Sequence, residues 1–270
     1  MKISNFLILT LASVSALVAC RTDAFVTYKE ADDPVAVSDR SKAAWVNIGK
    51  LEAVWASADS LYSRSEVPVV ERVEVNHLSG WKGERISAQL LLYTGNGADG
   101  VRCEVKDFRS SSSVMSADIA QARFVRYTIA DRGGMDCRCN RGPEMETILV
   151  PDMIDSLKVF NMDPRTVRPV WVTVNVPHDA EPGVYKSEIV VKSKGTSRIS
   201  LPFELEVVDQ VLPDYREWNF HLDLWQHPSA IARALNLELW SDEHFEAIKQ
   251  HMRPLAEAGQ KVITTTLNRD

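Results

Sequence analysis

Residues 170–192 run VWVTVNVPHDAEPGVYKSEIVVK. Val172, Val174 and Val176 alternate with Trp171, Thr173 and Asn175. A period of two places one set of side chains on a core and the other on the opposite face, in water. Pro177 then ends the strand, because it cannot donate to a ladder. Glu181-Pro182-Gly183-Val184 reads as a turn, since Pro presets φ and Gly accepts positive φ. A second strand, Val184 to Lys192, comes at once. The same grammar extends outward. Ile86, Ala88, Leu90 and Leu92 alternate with Arg85, Ser87, Gln89 and Leu91, and Leu201, Phe203, Leu205 and Val207 with Pro202, Glu204, Glu206 and Val208. Gly95-Asn96-Gly97 and Lys194-Gly195-Thr196 mark further turns. From about Val67 to Val211 the chain reads as short strands with frequent turns, which predicts an antiparallel β-sandwich.

The grammar changes on both flanks. Trp45, Ile48, Leu51, Val54 and Trp55 lie at mixed three- and four-residue spacing, which predicts a short helix within Lys42 to Leu61. After Pro213, Trp218 to Trp225 reads as a strand. Ser241 is placed to cap a helix whose first turn carries Asp242 and Glu243, favourable at the positive end of its dipole. Phe245, Ile248, Met252 and Leu255 form the packing stripe of that helix. Pro254 is positioned to kink it, and Gly259 sits where a C-terminal cap belongs. Lys261 to Leu267 reads as another strand. Strand, helix and strand make a βαβ unit, which alone cannot cover both faces of its sheet. Residues 214–270 are therefore expected to open a larger α/β domain, truncated at Asp270.

At the other end, Lys2 precedes an apolar run from Phe6 to Val18 that is too short to span a bilayer as a mature helix. It closes on Leu17-Val18-Ala19-Cys20, which resembles the bacterial lipobox. Residues 1–19 are thus expected to be a signal peptide, with Cys20 the lipidated first residue of a chain tethered to a membrane of the bacterial cell envelope. Residues 20–40 read as a polar tether and 41–213 as the sandwich domain.

A net charge of −6 with 25% charged residues makes a poor partner for phosphate backbones, so a nucleic-acid role is disfavoured. Beyond Cys20 three cysteines remain, Cys103, Cys137 and Cys139. An envelope compartment permits one structural disulfide from Cys103, or the thiols are buried and free. Zinc sites usually show a second closely spaced ligand pair, and none accompanies Cys137 and Cys139, so no metal or other cofactor is expected. Ser110 to Ser113 lacks a nucleophile elbow. Glu144 and Glu146 share a strand face and imitate a carboxylate pair, but read better as solvated surface. Trp81 and Trp171 read as core or interface packing ahead of sugar platforms.

The chemistry-bearing segment is Trp218 to Trp225 and its exit. Trp218, Phe220, Leu222 and Leu224 form one face, and Asn219, His221, Asp223 and Trp225 the other. In a (β/α)8 barrel the inward polar groups at a strand's carboxyl end line the active site. Asp223, Trp225, Gln226 and His227 form a candidate substrate-binding rim, with the indole stacking on a sugar and the polar groups holding hydroxyls. The open alternative has Trp225 packed under a loop and Asp223 capping a backbone amide.

Several stretches are similar to the N-terminal region of glycoside hydrolase family 123, from Trp55-Ala56-Ser57-Ala58-Asp59-Ser60 onward. They are Arg168 to Val174, Asp179 to Tyr185, Phe220-His221-Leu222-Asp223-Leu224-Trp225-Gln226-His227-Pro228 and Leu255 to Lys261. The resemblance implies a β-sandwich followed by a (β/α)8 barrel. It implies retaining, substrate-assisted removal of terminal β-linked N-acetylgalactosamine from glycans, an exception to the two-carboxylate scheme. There the sugar's acetamide oxygen attacks the anomeric carbon, an Asp orients the acetamide, and an adjacent Glu is the general acid/base. In the family that pair lies on a later barrel strand, so no catalytic residue is carried onto this chain. The alternative function is a non-catalytic carbohydrate-binding or scaffolding module of a cell-surface glycan system.

Overall fold

A computed structural model describes residues 30–131 and 147–265. In chain order the elements are α1 (Asp39–Trp45), β1 (Glu52–Ala56), β2 (Asn76–Lys82), β3 (Arg85–Thr94), β4 (Ala98–Val105), β5 (Phe108–Arg109), β6 (Val114–Met115), β7 (Ala120–Asp131), β8 (Thr147–Ile154), β9 (Phe160–Met162), β10 (Thr166–Asn175), β11 (Gly183–Ser193), β12 (Thr196–Val211), α2 (Pro228–Leu235) and α3 (Asp242–Glu257). One sheet has the order β1-β3-β10-β7-β8 and the other β2-β12-β11-β4-β9, with β5 and β6 attached beside β11.

The period-two segments lie where the sequence puts them. Val170, Val172 and Val174 of β10 face Ile189, Val191, Phe203 and Leu205 of β11 and β12 in one core between the sheets. Trp55 and Phe108 meet Phe203 edge-on, with ring centroids 5.7 and 5.4 Å away. Such T-shaped contacts add to the area each ring buries. The Trp55 indole N–H is satisfied by the carbonyl of Pro202 at 3.0 Å, so this large side chain spans the sheets without an unpaired donor.

Prolines inside strands sit where one edge is unpaired. β10 pairs with β3 from Thr166 to Asn175, but with β7 only from Val170, so Pro169 owes no amide to that neighbour. Pro202 of β12 likewise lies just outside the β2 ladder, which begins at Phe203. Gly95 shows the opposite constraint: a Cβ there would stand 1.7 Å from the carbonyl oxygen of Ile48, so backbone approach demands glycine.

Three expectations are corrected. The sandwich is not purely antiparallel, because β2 and β12 run parallel. The helix expected within Lys42 to Leu61 ends at Trp45, and Glu52–Ala56 is strand. There Val54 and Trp55 are buried on opposite sides, in two clusters, so adjacent apolar residues mimic helical spacing. Third, the outer face of the first sheet is not all in water. Trp45 of α1 covers Val54, Leu91, Tyr93 and Val167 in a second, smaller core.

The polar lead-in is fastened from Glu30 onward. Ser38 caps α1 and, with Ser41, donates to the carboxylate of Glu66 at 2.6 and 2.5 Å. The Glu30 carboxylate accepts from both terminal nitrogens of Arg168 at 2.7 and 2.6 Å and from the Tyr127 amide at 2.9 Å. Arg64 stands 3.6 Å away. The guanidinium lies over the Phe160 and Tyr127 rings, 4.3 and 5.1 Å from their centroids. Burial opposes the Glu30 charge, but the Arg168 hydrogen bonds and charge, the Tyr127 amide and Arg64 outweigh it and hold this carboxyl below its ordinary pKa.

Candidate functional site

The chain leaves β12 with the Leu212 amide donating to Lys82 of β2 at 2.8 Å. A 3-10 turn, Tyr215–Glu217, comes next, capped by Asp214. Trp218 donates its indole N–H to Pro213 at 2.8 Å, and its ring lies where a Cβ on Gly259 would come within 2.8 Å. Gly259 also adopts φ +92°, so it is required both as a left-handed helix stop and as a floor for the indole.

Ser241 accepts from the His244 amide at 3.2 Å as the cap of α3, as the sequence predicts. Pro254 lies inside that helix, which continues to Glu257. The packing face is rotated from the predicted stripe. His244 and Ala247 are buried, whereas Phe245 is 48% exposed. His244 explains the shift. Its Nδ1 accepts from the Trp240 amide at 2.9 Å, which leaves the hydrogen on Nε2 to donate to Pro228 O at 2.9 Å. A buried histidine with both ring nitrogens satisfied ties the start of α3 to the start of α2. α2 itself was not expected. Pro228 opens it and Asn236, at φ +52°, closes it, so it reads as a turn in sequence.

The two predicted strands meet in parallel, but as isolated bridges, Leu222 to Gln260 and Gln226 to Thr265. Neither Trp218 to Trp225 nor the described part of Lys261 to Leu267 forms a continuous strand; residues 266–270 lie outside the described residues. Phe220 and Leu224 are 66% and 41% exposed, so this face lacks the burial that locks a parallel ladder.

Asp223 is exposed, and its Oδ2 accepts from the Thr264 hydroxyl at 2.9 Å. Trp225 is 73% exposed. The Gln226 amide donates to Thr264 O at 2.8 Å, while its side chain donates to Leu224 O at 2.6 Å. Gln226 also borders a cavity of about 60 Å³ beneath α2 and α3, with Ile231, Ile248 and Met252. That is far below the roughly 300 Å³ at which small-molecule sites begin. His227 is exposed and precedes Pro228 at the start of α2. Thus Asp223 and Thr264 are brought together across the two segments, Trp225 is open to solvent beside them, and Gln226 serves the junction. Thr264 and Gln260 were not singled out in sequence. Gln260 donates to Leu224 O at 3.1 Å and Val262 O at 2.7 Å, and its Oε1 is buried without a partner. The run of three threonines from Thr264 was the available signal.

Elsewhere, Ser110 and Ser113 close the β5–β6 hairpin through the Ser110 amide and Ser113 carbonyl, 2.9 Å apart. Trp81 is 43% exposed on β2, and Trp171 is half-buried on the outer face of β10. Cys103 is a free thiol, pushed up to about 12 by burial. Cys20, Cys137, Cys139, Glu144 and Glu146 lie outside the described residues. Among the described residues no three His, Cys, Asp or Glu side chains are grouped to hold a metal ion, and no helix is long and apolar enough to cross a membrane.

Comparison with curated proteins finds no match. Among solved structures the chain is similar to a family 123 glycoside hydrolase from Clostridium perfringens, whose structural analysis concerns glycolipid glycan hydrolysis. The TM-score is 0.70 at 20% identity, over 79% of this chain and 38% of that one. At that identity the likeness speaks for the fold, and this chain spans under two-fifths of the other's length. An ASH/PapD-like domain of human CEP192 aligns with TM-score 0.30 at 10% identity over 68% of this chain and 94% of its own. The periplasmic chaperone SfaE aligns with TM-score 0.28 at 6% over 56% and 64%. Neither carries an argument. Two family models match in succession, the glycoside hydrolase 123 N-terminal domain over residues 55–193 and the glycoside hydrolase 123 catalytic domain over residues 225–270. The first covers half of the chain, and the chain belongs to glycoside hydrolase family 123.

Proposed function

We propose that this chain is the front part of a lipid-anchored, retaining exo-β-N-acetylgalactosaminidase working by substrate assistance. Residues 1–19 are the signal peptide, Cys20 the lipidated residue, 20–40 the lead-in, 41–213 the sandwich and 214–270 the start of the catalytic barrel. The observation that carries the reading is the family match in two consecutive domains, with the second beginning at Trp225. Its geometry is supportive. Parallel pairing at Gln226 and Thr265 leaves Asp223 and Trp225 exposed at the carboxyl end of the first segment, where barrel enzymes gather their substrate contacts. Asp223 and Trp225 then hold a sugar hydroxyl and stack on a pyranose face. His227 lies at the same rim, and Gln226 fixes its backbone. No residue of this chain is given the acid/base role.

The test uses p-nitrophenyl β-N-acetylgalactosaminide. Residues 20–270 are expected to release no p-nitrophenol, whereas a product carrying the complete catalytic domain is expected to release it with retained anomeric configuration. Turnover by residues 20–270, or none by the complete protein, overturns the assignment. Radiolabelled palmitate incorporation, lost in Cys20→Ala, tests the anchor separately.

A further inference from the structure

The two sheets leave a seam open on one side of the sandwich. β7 pairs with β10 over Ala120 to Phe124 and then turns to β8 from Val125 onward. β4 pairs with β9 over Ala98 to Val101 and with β11 over Arg102 to Val105. Among the described residues no strand covers the outer edge of Ala120 to Arg123 or of Arg102 to Val105. Between these edges lies a groove of about 630 Å³, within the range of small-molecule sites. It is not part of the Asp223 and Trp225 rim, which lies beyond β12.

The groove is bordered by Arg102, Glu104, Asp118, Gln121, Arg123 and Lys158. One of its two carboxylates is paired with cations, and the other is held by a hydroxyl. Glu104 is held by Lys192 at 2.9 Å and Lys106 at 3.2 Å, and Asp118 accepts from Ser116 at 3.0 Å. Of its cations, Arg123 donates Nε to Gln121 at 2.9 Å and meets no carboxylate among the described residues, and exposed Lys158 meets none either. In a chain of net charge −6, a concave surface bordered by Arg102, Arg123 and Lys158 against Glu104 and Asp118 is locally net positive. Across the β7–β10 ladder Arg123 is in register with Trp171, and Gln121 with Thr173. The groove's border therefore carries a guanidinium and an amide, and the half-buried indole and the hydroxyl lie one strand further in, on the same face of the sheet. A guanidinium fork matches a carboxylate or sulfate, an indole offers a face to a ring, and amide and hydroxyl groups answer sugar hydroxyls.

We propose that this seam is a binding site for an anionic saccharide, separate from the catalytic barrel, with Arg123 and Lys158 holding the acidic group in the groove and Trp171, one strand beyond its border, offering a face to a neighbouring ring. The site would keep the protein on an acidic glycan whether or not the Asp223 rim is occupied.

Titration calorimetry of residues 20–270 with four probes tests this: tetragalacturonate, a heparin tetrasaccharide, neutral maltotetraose and a short poly-glutamate peptide. Binding of one or both anionic saccharides is expected, weakening as salt approaches about 0.5 M, with none for maltotetraose. The saccharide that binds identifies carboxylate or sulfate as the group read. Arg123→Ala and Lys158→Ala should each weaken binding roughly tenfold, the cost of a lost charged hydrogen bond. Arg123→Lys should recover part of it, and Lys186→Ala, outside the groove, should change nothing. Both alanine variants remove exposed side chains, and circular dichroism confirms that they fold. Equal binding of maltotetraose, binding of poly-glutamate as tight as the saccharides, binding of no probe, or indifference to both alanine substitutions overturns the proposal.

Discussion

Glu30→Gln is a demanding test of the fold, because it replaces one carboxylate oxygen by an NH2 group and leaves the shape intact. The Glu30 and Arg168 side chains are 6% and 4% exposed, and their shortest contact is 2.6 Å. Arg168 already has one buried nitrogen, Nε, without a partner. The amide removes the counter-charge and turns a donor toward the guanidinium. Breaking one side of a buried pair costs about 3–5 kcal/mol, since the surviving charge stays desolvated. Replacing both residues, as in Glu30→Gln with Arg168→Met, should recover much of that loss, because no ion is then stranded. Urea denaturation at pH 7, followed by tryptophan fluorescence, reads the shift in midpoint at constant slope. The pH dependence carries a sign. Glu30 has its pKa lowered on folding from an ordinary 4.5. Its stabilisation is therefore complete above about pH 4.5 and is lost as pH falls through the lowered value. The gap between wild type and Glu30→Gln should close over that acid window. A loss below about 1 kcal/mol at pH 7, typical of a solvated pair, or a gap unchanged in acid, would refute the buried-pair reasoning.

Three further outcomes are expected. His244→Ala removes both the Trp240 and Pro228 contacts from a fully buried position; hydrogen exchange should show α2 and the start of α3 losing about 1–3 kcal/mol of protection while the sandwich amides are unchanged. Gly95→Ala forces a Cβ against the Ile48 carbonyl and should cost about 1–3 kcal/mol or more in urea, with no loss pointing to a more open approach. Cys103 is half-buried beside the groove with its thiol pKa raised to about 12, so it should react with maleimide at pH 8 more slowly in the native protein than after unfolding, as read by peptide mass mapping.

The sequence disclosed the sandwich where apolar residues alternate. β12 buries one face, Leu201, Phe203, Leu205 and Val207, so a period of two survives along it, whereas in β3 the alternation fades after Ala88 because Leu91 and Tyr93 enter the second core. It concealed β1 because Val54 and Trp55 serve cores on opposite sides, and two-sided burial erases alternation. It concealed the partnership of β2 with β12 because a parallel pair needs no turn to announce it. Nothing in the sequence marks Arg168 as buried, since arginine usually is not and its counter-ion lies 138 residues earlier. In the C-terminal part, the Ser241 cap was legible because capping is local. The inward face of α3 was not, since a histidine held by distant backbone groups displaced the apolar stripe. Asp223 and Trp225 were singled out by strand parity and both are exposed, whereas Thr264 becomes relevant only once the second segment is folded alongside the first.

The strand that closes the sandwich also launches the C-terminal segment. β12 is paired over much of its length with β11 on one side and β2 on the other, and the Leu212 amide extends the hold by one more bond. A mechanical load on the polypeptide beyond Val211 acts along the axis of β12. It must slide this strand past two neighbours at once, instead of peeling bonds off singly from an end.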